Sequence, residues 1–123
     1  MRLVRCPLVT VVKGLCASAG NLILAGGDIR YCTSSSVFFY HQVQLGWFSA
    51  TSEEDLDATT NLYKISSNLL KTQLRERFKL TEEDWGKHFG NKFSKWFTAQ
   101  EALQAGWVHE ILAPAVKKEA SNG

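Results

Sequence analysis

A β-branched run that passes directly into a run of small residues constrains the fold of this chain more than any other feature. Residues 8–13 open with five apolar or β-branched side chains in a row, between Pro7 and Gly14. This pattern predicts a buried strand. Residues 17–25 are small and apolar and are followed by Gly26 and Gly27, which predicts a short helix buried on most sides.

The next segments return to strand character. Residues 29–33 and 37–40 are β-type runs separated by three serines. The resulting alternation of strand, helix and strand predicts crossover β-α units and an α/β fold.

The second half of the chain has mainly helical patterns. Ser52 is followed by three acidic residues, which predicts an N-cap and a helix of about 25 residues whose apolar side chains recur at three- and four-residue steps. Thr81 caps a second helical segment in which aromatic residues follow one side: Trp85, Phe89, Phe93 and Trp96 or Phe97. Residues 98–105 predict a capped short helix that ends at Gly106, and residues 107–112 a final strand.

Length and composition exclude several classes of protein. A chain of 123 residues forms one domain, and a formal charge of +2 gives no reason to expect a nucleic-acid partner. Three cysteines without CxxC spacing predict neither a disulfide framework nor a metal site, and indicate reduced thiols in the cytoplasm. No apolar run approaches the roughly 20 residues that span a bilayer, so no membrane association is expected. The N-terminus resembles a signal peptide, but Pro7, Lys13 and Gly14 interrupt its apolar core.

Ser18 and His41 are the candidate chemical groups. Ser18 lies between small residues where the strand pattern gives way to the helix pattern, and a helix start just after it supplies unpaired N–H groups. His41 follows the second β-type run, where it can act as a general base toward that serine. The structural alternatives are a helix N-cap for Ser18 and a core histidine for His41. No GxGxxG or P-loop pattern follows Gly26 and Gly27, so no cofactor is expected.

The order of these motifs resembles the proteolytic subunit of the Clp protease, from Met1 to about Leu112. The matching elements are Gly14-x-x-Ala17-Ser18-x-Gly20, then His41-Gln42, a long helix, and Phe97-Thr98-Ala99-x-Glu101-Ala102-x-x-x-Gly106-x-Val108. The resemblance implies the α/β fold that Clp proteases share with crotonases, a domain over residues 1–112 and a flexible tail over 113–123. It also implies a serine endopeptidase that acts on unfolded polypeptides.

The resemblance assigns roles residue by residue. Ser18 matches the nucleophile, His41 the general base, and the Ala19 N–H one donor to the oxyanion. Peptide substrates are expected to lie as an added strand along the segment after the histidine, at Gln44, Leu45, Gly46 and Trp47. The long helix matches the element by which stacked heptameric rings interlock, and an ATP-dependent unfoldase is the implied partner.

Two departures from the family pattern bear on activity. The family's histidine-orienting aspartate has no carboxylate counterpart here: Ser94 lies closest in register, and Asn91 is the chemically better substitute. In addition, Met1 aligns inside the family fold, which predicts an N-terminally truncated chain with the strand at 8–13 as an exposed edge. Either Met1 is then an internal start of a longer reading frame, or a partner chain, such as a full-length subunit, completes the fold in a hetero-oligomer.

Two other functions stay open. The departures also suit a catalytically inactive assembly subunit that uses the long helix to join rings. A crotonase-like protein that binds acyl-CoA is the third candidate, because Gly27-Asp28-Ile29-Arg30 resembles a stretch common in that group. His41-Gln42 and the long helix that follows favour the protease.

Overall fold

The computed structural model describes residues 3–44, 46, 49–90 and 94–114. Within that part, six strands and four helices follow one another along the chain. In order they are β1 Val9–Val12, β2 Leu15–Ala17, α1 Gly20–Ala25, β3 Ile29–Thr33, β4 Val37–His41, α2 Glu53–Phe78, α3 Glu82–His88, β5 Ser94–Thr98, α4 Ala99–Gln104 and β6 Glu110–Leu112.

The strands form two three-stranded sheets, in the orders β1-β3-β6 and β2-β4-β5. The pairs β1–β3, β3–β6 and β2–β4 are parallel, and only β4–β5 is antiparallel in the described part of the chain. Helix α1 connects the first two strands to their parallel partners. The predicted α/β fold with crossover units is therefore confirmed.

Strand β1 lies at an edge of its sheet, because its one partner among the described strands is β3. On its outer face Val9 is 55% exposed and Val11 44% exposed. The neighbouring sheet has the same character at Leu15, which is 63% exposed on edge strand β2. The first two strands thus leave apolar side chains and one row of backbone groups open.

The helix predicted at residues 17–25 is wrong at its start. Residues Leu15–Ala17 form β2, which pairs with Val37, Phe38 and Phe39 of β4, and helix α1 begins only at Gly20. Small residues carry no strong local preference, so the parallel pairing with β4 decides their conformation. The consequence is a turn at Ser18 and Ala19, between the strand and the helix.

The long helix predicted from Ser52 is confirmed, since α2 runs for 26 residues. The Ser52 side chain accepts a hydrogen bond from the N–H of Asp55, and three acidic residues fill the first turn. The helix ends at Phe78, and its C-cap, Lys79, adopts a left-handed conformation with φ 55°. Only its C-terminal part enters the core, through Leu74 and Phe78.

The predicted aromatic side of the Thr81 helix is wrong beyond Phe89. Helix α3 ends at His88, and Phe93 lies outside the described residues. Trp96 and Phe97 lie on β5, where they point to opposite faces: Phe97 is buried, whereas Trp96 is 59% exposed. The aromatic residues still meet in the core, because Phe89 and Phe97 both contact Trp107.

A buried arginine joins the two halves of the fold. Arg30 of β3 is 6% exposed and donates hydrogen bonds to the carbonyl oxygens of Gly27, Gly106 and Trp107. Its guanidinium also lies 5.1 Å from the ring centroid of Phe78. Three carbonyl groups and an aromatic face thereby replace the water that a buried cation loses.

The tail predicted at residues 113–123 lies outside the described residues from 115 onward. In the part that is described, no helix is both long enough and apolar enough to cross a bilayer.

Candidate active site

The turn at Ser18 follows directly from the end of β2. Ser18 has φ 52°, a left-handed backbone that non-glycine residues seldom adopt. Its N–H donates to the carbonyl oxygen of Phe39 at 3.1 Å, which holds the turn against β4. The N-cap of α1 is Ala19, and no side chain caps this helix. The Ser18 hydroxyl is therefore not used as a helix cap.

His41 is the last residue of β4 and lies next to this turn. Because β2 and β4 are parallel, with Ala17 opposite Phe39, the two strands end at the same edge of the sheet. The Nε2 atom of His41 lies 2.8 Å from Ser18 Oγ. The topology thus joins two groups that are 23 residues apart in the sequence.

The second ring nitrogen of His41 contacts the main chain. Nδ1 lies 2.7 Å from the carbonyl oxygen of Gln42. A carbonyl oxygen only accepts, so Nδ1 carries the proton and Nε2 presents its lone pair to the Ser18 hydroxyl. This is the tautomer that a general base toward Ser18 requires.

Gln42 is held in turn by the long helix. The hydroxyl of Tyr63 on α2 donates a hydrogen bond of 2.8 Å to Gln42 Oε1. The carbonyl group that accepts the Nδ1–H hydrogen bond of His41 therefore belongs to a residue whose side chain is bonded to α2.

Asn21 contacts the Ser18 turn from the other side. Its side chain is 1% exposed, and Nδ2 donates to the carbonyl oxygens of Phe39 at 2.8 Å and Ser18 at 3.2 Å. The Cys16 thiol lies 3.4 Å from Asn21 Oδ1 and is its donor. Burial raises the pKa of Cys16 to about 11, which keeps this group protonated and able to donate.

The Ala19 N–H, the predicted oxyanion donor, donates to no acceptor within the described part of the chain. The carbonyl of Ala19 is by contrast engaged, since it accepts from the N–H groups of Leu22 and Ile23 in α1. Ala19 is exposed beside the Ser18 hydroxyl, at the positive end of the helix.

A cavity of about 510 Å³ opens beside the Ser18–His41 pair. Leucines of α1 and α2 form its apolar wall: Leu22, Leu69, Leu70 and Leu74. Tyr40 also lines it, and burial raises the pKa of its phenol to about 12, so it stays neutral. The cavity is thus concave and mainly apolar, with the serine and histidine at its edge.

Of the two predicted orienting residues, Ser94 lies within the described structure and forms no hydrogen bond with the His41 ring there. Ser94 lies opposite His41 in the antiparallel β4–β5 pair, but the histidine's two ring nitrogens are already bonded to Gln42 and Ser18. Asn91 lies outside the described residues. The Gln42 carbonyl therefore occupies the position at Nδ1 that an aspartate holds in a Ser-His-Asp triad.

Of the four predicted substrate-binding residues, Gln44 lines the cavity, and Gly46 has open space where a side chain would begin. Leu45 and Trp47 lie outside the described residues. No group of three or more His, Cys, Asp or Glu side chains in the described ranges could hold a metal ion.

Two polar side chains at this site escaped the sequence analysis. Asn21 lies three residues after Ser18, on a helix that is otherwise small and apolar, and this isolated amide is a signal that points to it. Tyr63 lies between Leu62 and Lys64 on α2, 21 residues from its partner, and carries no comparable signal.

Comparison with known proteins covers nearly the whole chain. A family model described as Clp protease matches residues 1–115. The ATP-dependent Clp protease proteolytic subunit 2 of Bifidobacterium longum is 30% identical, over 91% of this chain and 53% of its own length. Subunit 1 of Leifsonia xyli subsp. xyli is 32% identical, over 100% of this chain and 61% of its own. The proteolytic subunit of Streptococcus pneumoniae is 26% identical, over 92% and 58%. The chain thus spans between about half and three-fifths of the length of these relatives.

Proposed function

This chain belongs to the Clp protease family, and on that premise we propose that it is a serine endopeptidase subunit that hydrolyses peptide bonds of unfolded polypeptides. One observation carries the proposal: His41 Nε2 lies 2.8 Å from Ser18 Oγ, while Nδ1 is bonded to the Gln42 carbonyl. The serine, the base and the base's tautomer together meet the requirements of nucleophilic catalysis.

In the first half of the proposed reaction, Ser18 Oγ attacks the carbonyl carbon of the substrate peptide. His41 Nε2 takes the hydroxyl proton as the new C–O bond forms. The Ala19 N–H donates to the oxyanion that develops on the substrate carbonyl oxygen. His41 then gives its proton to the leaving nitrogen, the C–N bond breaks, and an acyl group stays on Ser18.

Water completes the second half. His41 removes a proton from water, whose oxygen attacks the acyl carbon. The C–O bond to Ser18 breaks, and the imidazolium returns its proton to Oγ. The product leaves as a carboxylic acid, and both side chains regain their starting protonation states.

The Gln42 carbonyl fixes the tautomer of His41 but carries no full charge. In the serine-protease template, replacing the aspartate by an amide lowers turnover about 10⁴-fold because the histidine adopts the wrong tautomer. Here the tautomer is the productive one, so the loss is expected to be smaller. What a carboxylate would add is electrostatic stabilisation of the imidazolium.

The assembly belongs to the same proposal. Apolar side chains on α2 stay exposed at a helical spacing: Leu62, Ile65 and Leu69 are 43, 60 and 57% exposed. We propose that this stripe, with Leu56, contacts neighbouring subunits in heptameric rings of this chain or of this chain with a full-length subunit. An ATP-dependent unfoldase is the proposed partner. Three free cysteines support a location in the cytoplasm.

A catalytically inactive assembly subunit is the second candidate. It is supported by the absence, in the described part of the chain, of a carboxylate bonded to His41. The exposed α2 stripe would serve this function equally well. The two candidates differ in the reactivity of Ser18, which can be measured directly.

The test uses a fluorophosphonate probe, which reacts with activated serines. The unmodified chain is expected to be labelled at a rate that saturates with probe, whereas Ser18→Ala and His41→Ala abolish the labelling. Ser66→Ala is the matched control, because Ser66 lines the same cavity without contacting His41. Cleavage of a fluorescently labelled unfolded polypeptide, with and without an active full-length subunit, then tests the peptidase reaction itself.

Three results would contradict the proposal in different ways. Labelling that survives in Ser18→Ala places the reactive group elsewhere. Absence of labelling, together with a ring-sized native mass, supports the inactive subunit. Absence of labelling with saturable binding of an acyl-CoA supports a crotonase-like protein.

A further inference from the structure

We infer that Asn21 is a positioning residue, which ties the Ser18 turn to strand β4 and so sets the distance between Ser18 and His41. The inference rests on the proposed function and adds to it a residue for which the resemblance gave no role. Asn21 touches neither the Ser18 hydroxyl nor the histidine ring, so its effect passes through the backbone.

The contacts of Asn21 join the two elements that carry the reactive groups. One Nδ2 atom donates to the carbonyl oxygen of Ser18, on the turn, and to that of Phe39, on β4. Phe39 lies two residues before His41 and also accepts the N–H of Ser18 at 3.1 Å. A single amide group thus connects the backbone of the nucleophile to the backbone of the base.

Burial makes these bonds specific. The Asn21 side chain is 1% exposed, so its N–H groups cannot exchange these acceptors for bulk water. Its Oδ1 is directed to the Cys16 thiol, which fixes which end of the amide faces the turn. The orientation of Nδ2 toward the two carbonyl groups is therefore defined from both sides.

The turn needs such a tie, because its backbone conformation is unfavourable. A serine with φ 52° lies in the left-handed region, which a non-glycine residue keeps only where the surroundings impose it. When the side-chain amide of Asn21 is removed, two backbone hydrogen bonds still hold the turn: from the Ser18 N–H to the carbonyl of Phe39, and from the Asn21 main-chain N–H to the carbonyl of Ser18. The fold is then expected to survive, while the turn gains freedom to shift Oγ relative to His41.

The experiment compares Asn21→Ala with the unmodified chain by two independent measurements. The maximal rate of fluorophosphonate labelling is expected to fall about 10- to 100-fold with little change in probe affinity, because a displacement of about 1 Å at a reacting atom can lower the rate by 10². The ¹⁵N shift of His41 Nε2 is expected to move toward that of Ser18→Ala, since the bond to Oγ weakens. The second measurement does not depend on catalysis.

Ser36→Ala is the matched control. Ser36 is also buried, at 2% exposed, and its hydroxyl donates to the carbonyl of Val12, away from Ser18. This variant is expected to lose comparable stability with unchanged labelling and an unchanged His41 spectrum. If Asn21→Ala does not fold, Asn21→Leu replaces it, because leucine has about the size of asparagine, lacks the N–H donors and brings no charge into the buried site.

The outcomes separate the two proposals. An Asn21 variant with the labelling rate and the His41 spectrum of the unmodified chain overturns the positioning role. A changed His41 spectrum in a chain that the probe never labels supports the positioning role and contradicts the endopeptidase. Equal losses in Asn21→Ala and Ser36→Ala assign the effect to general stability and also overturn the inference.

Discussion

The Tyr63 hydroxyl donates a hydrogen bond of 2.8 Å to the side chain of Gln42, whose main-chain carbonyl accepts a hydrogen bond from Nδ1 of His41. Helix α2 is thereby connected to the proposed base through one residue. The helix that carries the exposed apolar stripe and the group that orients the histidine belong to one network of hydrogen bonds.

Tyr63→Phe removes this bond and keeps the ring. We expect the labelling rate of Ser18 to fall about threefold to tenfold, because Gln42 and its carbonyl become less well fixed; one such bond contributes about 0.5–1.5 kcal/mol. Pseudo-first-order labelling measures the effect. Tyr31→Phe is the control, because Tyr31 lies on β3 in the other sheet, and it is expected to leave the rate unchanged. An unaltered rate in Tyr63→Phe would show that Gln42 is held without α2.

Ser94→Asp places a carboxylate opposite His41. Directly opposed residues of antiparallel strands have Cβ atoms about 4.5–5.5 Å apart, within reach of an aspartate side chain. Its charge stabilises the imidazolium, so we expect labelling to accelerate about tenfold. Ser94→Asn, of the same size without charge, is the control. A rate that Ser94→Asp lowers would mean that the carboxylate displaces His41 from the Gln42 carbonyl.

Arg30→Lys tests the connection between the two halves of the fold. A lysine cannot reproduce the three bonds of the guanidinium to Gly27, Gly106 and Trp107. We expect the free energy of unfolding, measured in urea, to fall by about 1–3 kcal/mol, the upper part of the usual range for a single substitution, because a buried hydrogen-bond network is broken. Arg5→Lys at an exposed position should change it by less than about 0.5 kcal/mol. Equal stability of the two variants would contradict the role given to Arg30.

His109 gives the fold a dependence on pH. Desolvation, followed by the charges of Arg30 and Lys79, lowers the pKa of His109 from its ordinary 6.5. The Nδ1 atom of His109 accepts a hydrogen bond of 3.0 Å from the main-chain N–H of Arg30. The unfolded chain therefore binds this proton more readily than the folded chain. The stabilisation is complete above pH 6.5 and is lost as the pH falls toward the lowered pKa.

The expected result is a decrease in the free energy of unfolding between about pH 7.5 and 5.5, above the range in which carboxyl groups titrate. His109→Asn keeps an acceptor without a proton to bind and should flatten this slope, whereas His88→Asn should preserve it. Urea unfolding at each pH provides the measurement. A slope that persists in His109→Asn assigns the effect to another group.

Much of the fold could be predicted because the signals are local. Glu101 completes the capping box of Thr98, and three acidic residues in the first turn favour the helix that starts after Ser52, so both helices begin where the sequence predicts. Strand β3 has the predicted bounds for a similar reason, since its β-type run ends in a cluster of turn-forming serines. The resemblance to Clp proteases then supplied the arrangement of these elements.

The errors have a nonlocal origin. Cys16 and Ala17 carry no strand signal, and β2 exists because they pair with Phe38 and Phe39 of β4. The aromatic residues after Phe89 fit a helical spacing, yet Trp96 and Phe97 belong to a strand that is fixed by pairing with the same β4. Periodicity alone does not distinguish a helix from a strand once such pairing intervenes.

The sequence indicated the reactive side chains of the site, but not the main-chain group that contacts His41. The strand and helix patterns indicated Ser18 and His41 as nucleophile and base, the resemblance assigned them the same roles, and the structure brings their polar atoms together. The acceptor at Nδ1 is a main-chain oxygen, which every residue possesses, so no residue type could indicate it. Asn91 and Ser94 were expected there from the register of the family's aspartate; Ser94 lies opposite His41 on β5, and Asn91 lies outside the described residues.

The left-handed backbone at Ser18 gives each replacement of this residue a different thermodynamic signature. Alanine at position 18 removes the hydroxyl and must still adopt the unfavourable left-handed backbone. Glycine also removes the hydroxyl, but it adopts this backbone conformation without strain. The inactive Ser18→Gly chain should therefore unfold at a higher temperature than the unmodified chain. Such a trade-off is what distinguishes a residue retained for reactivity from one retained for folding.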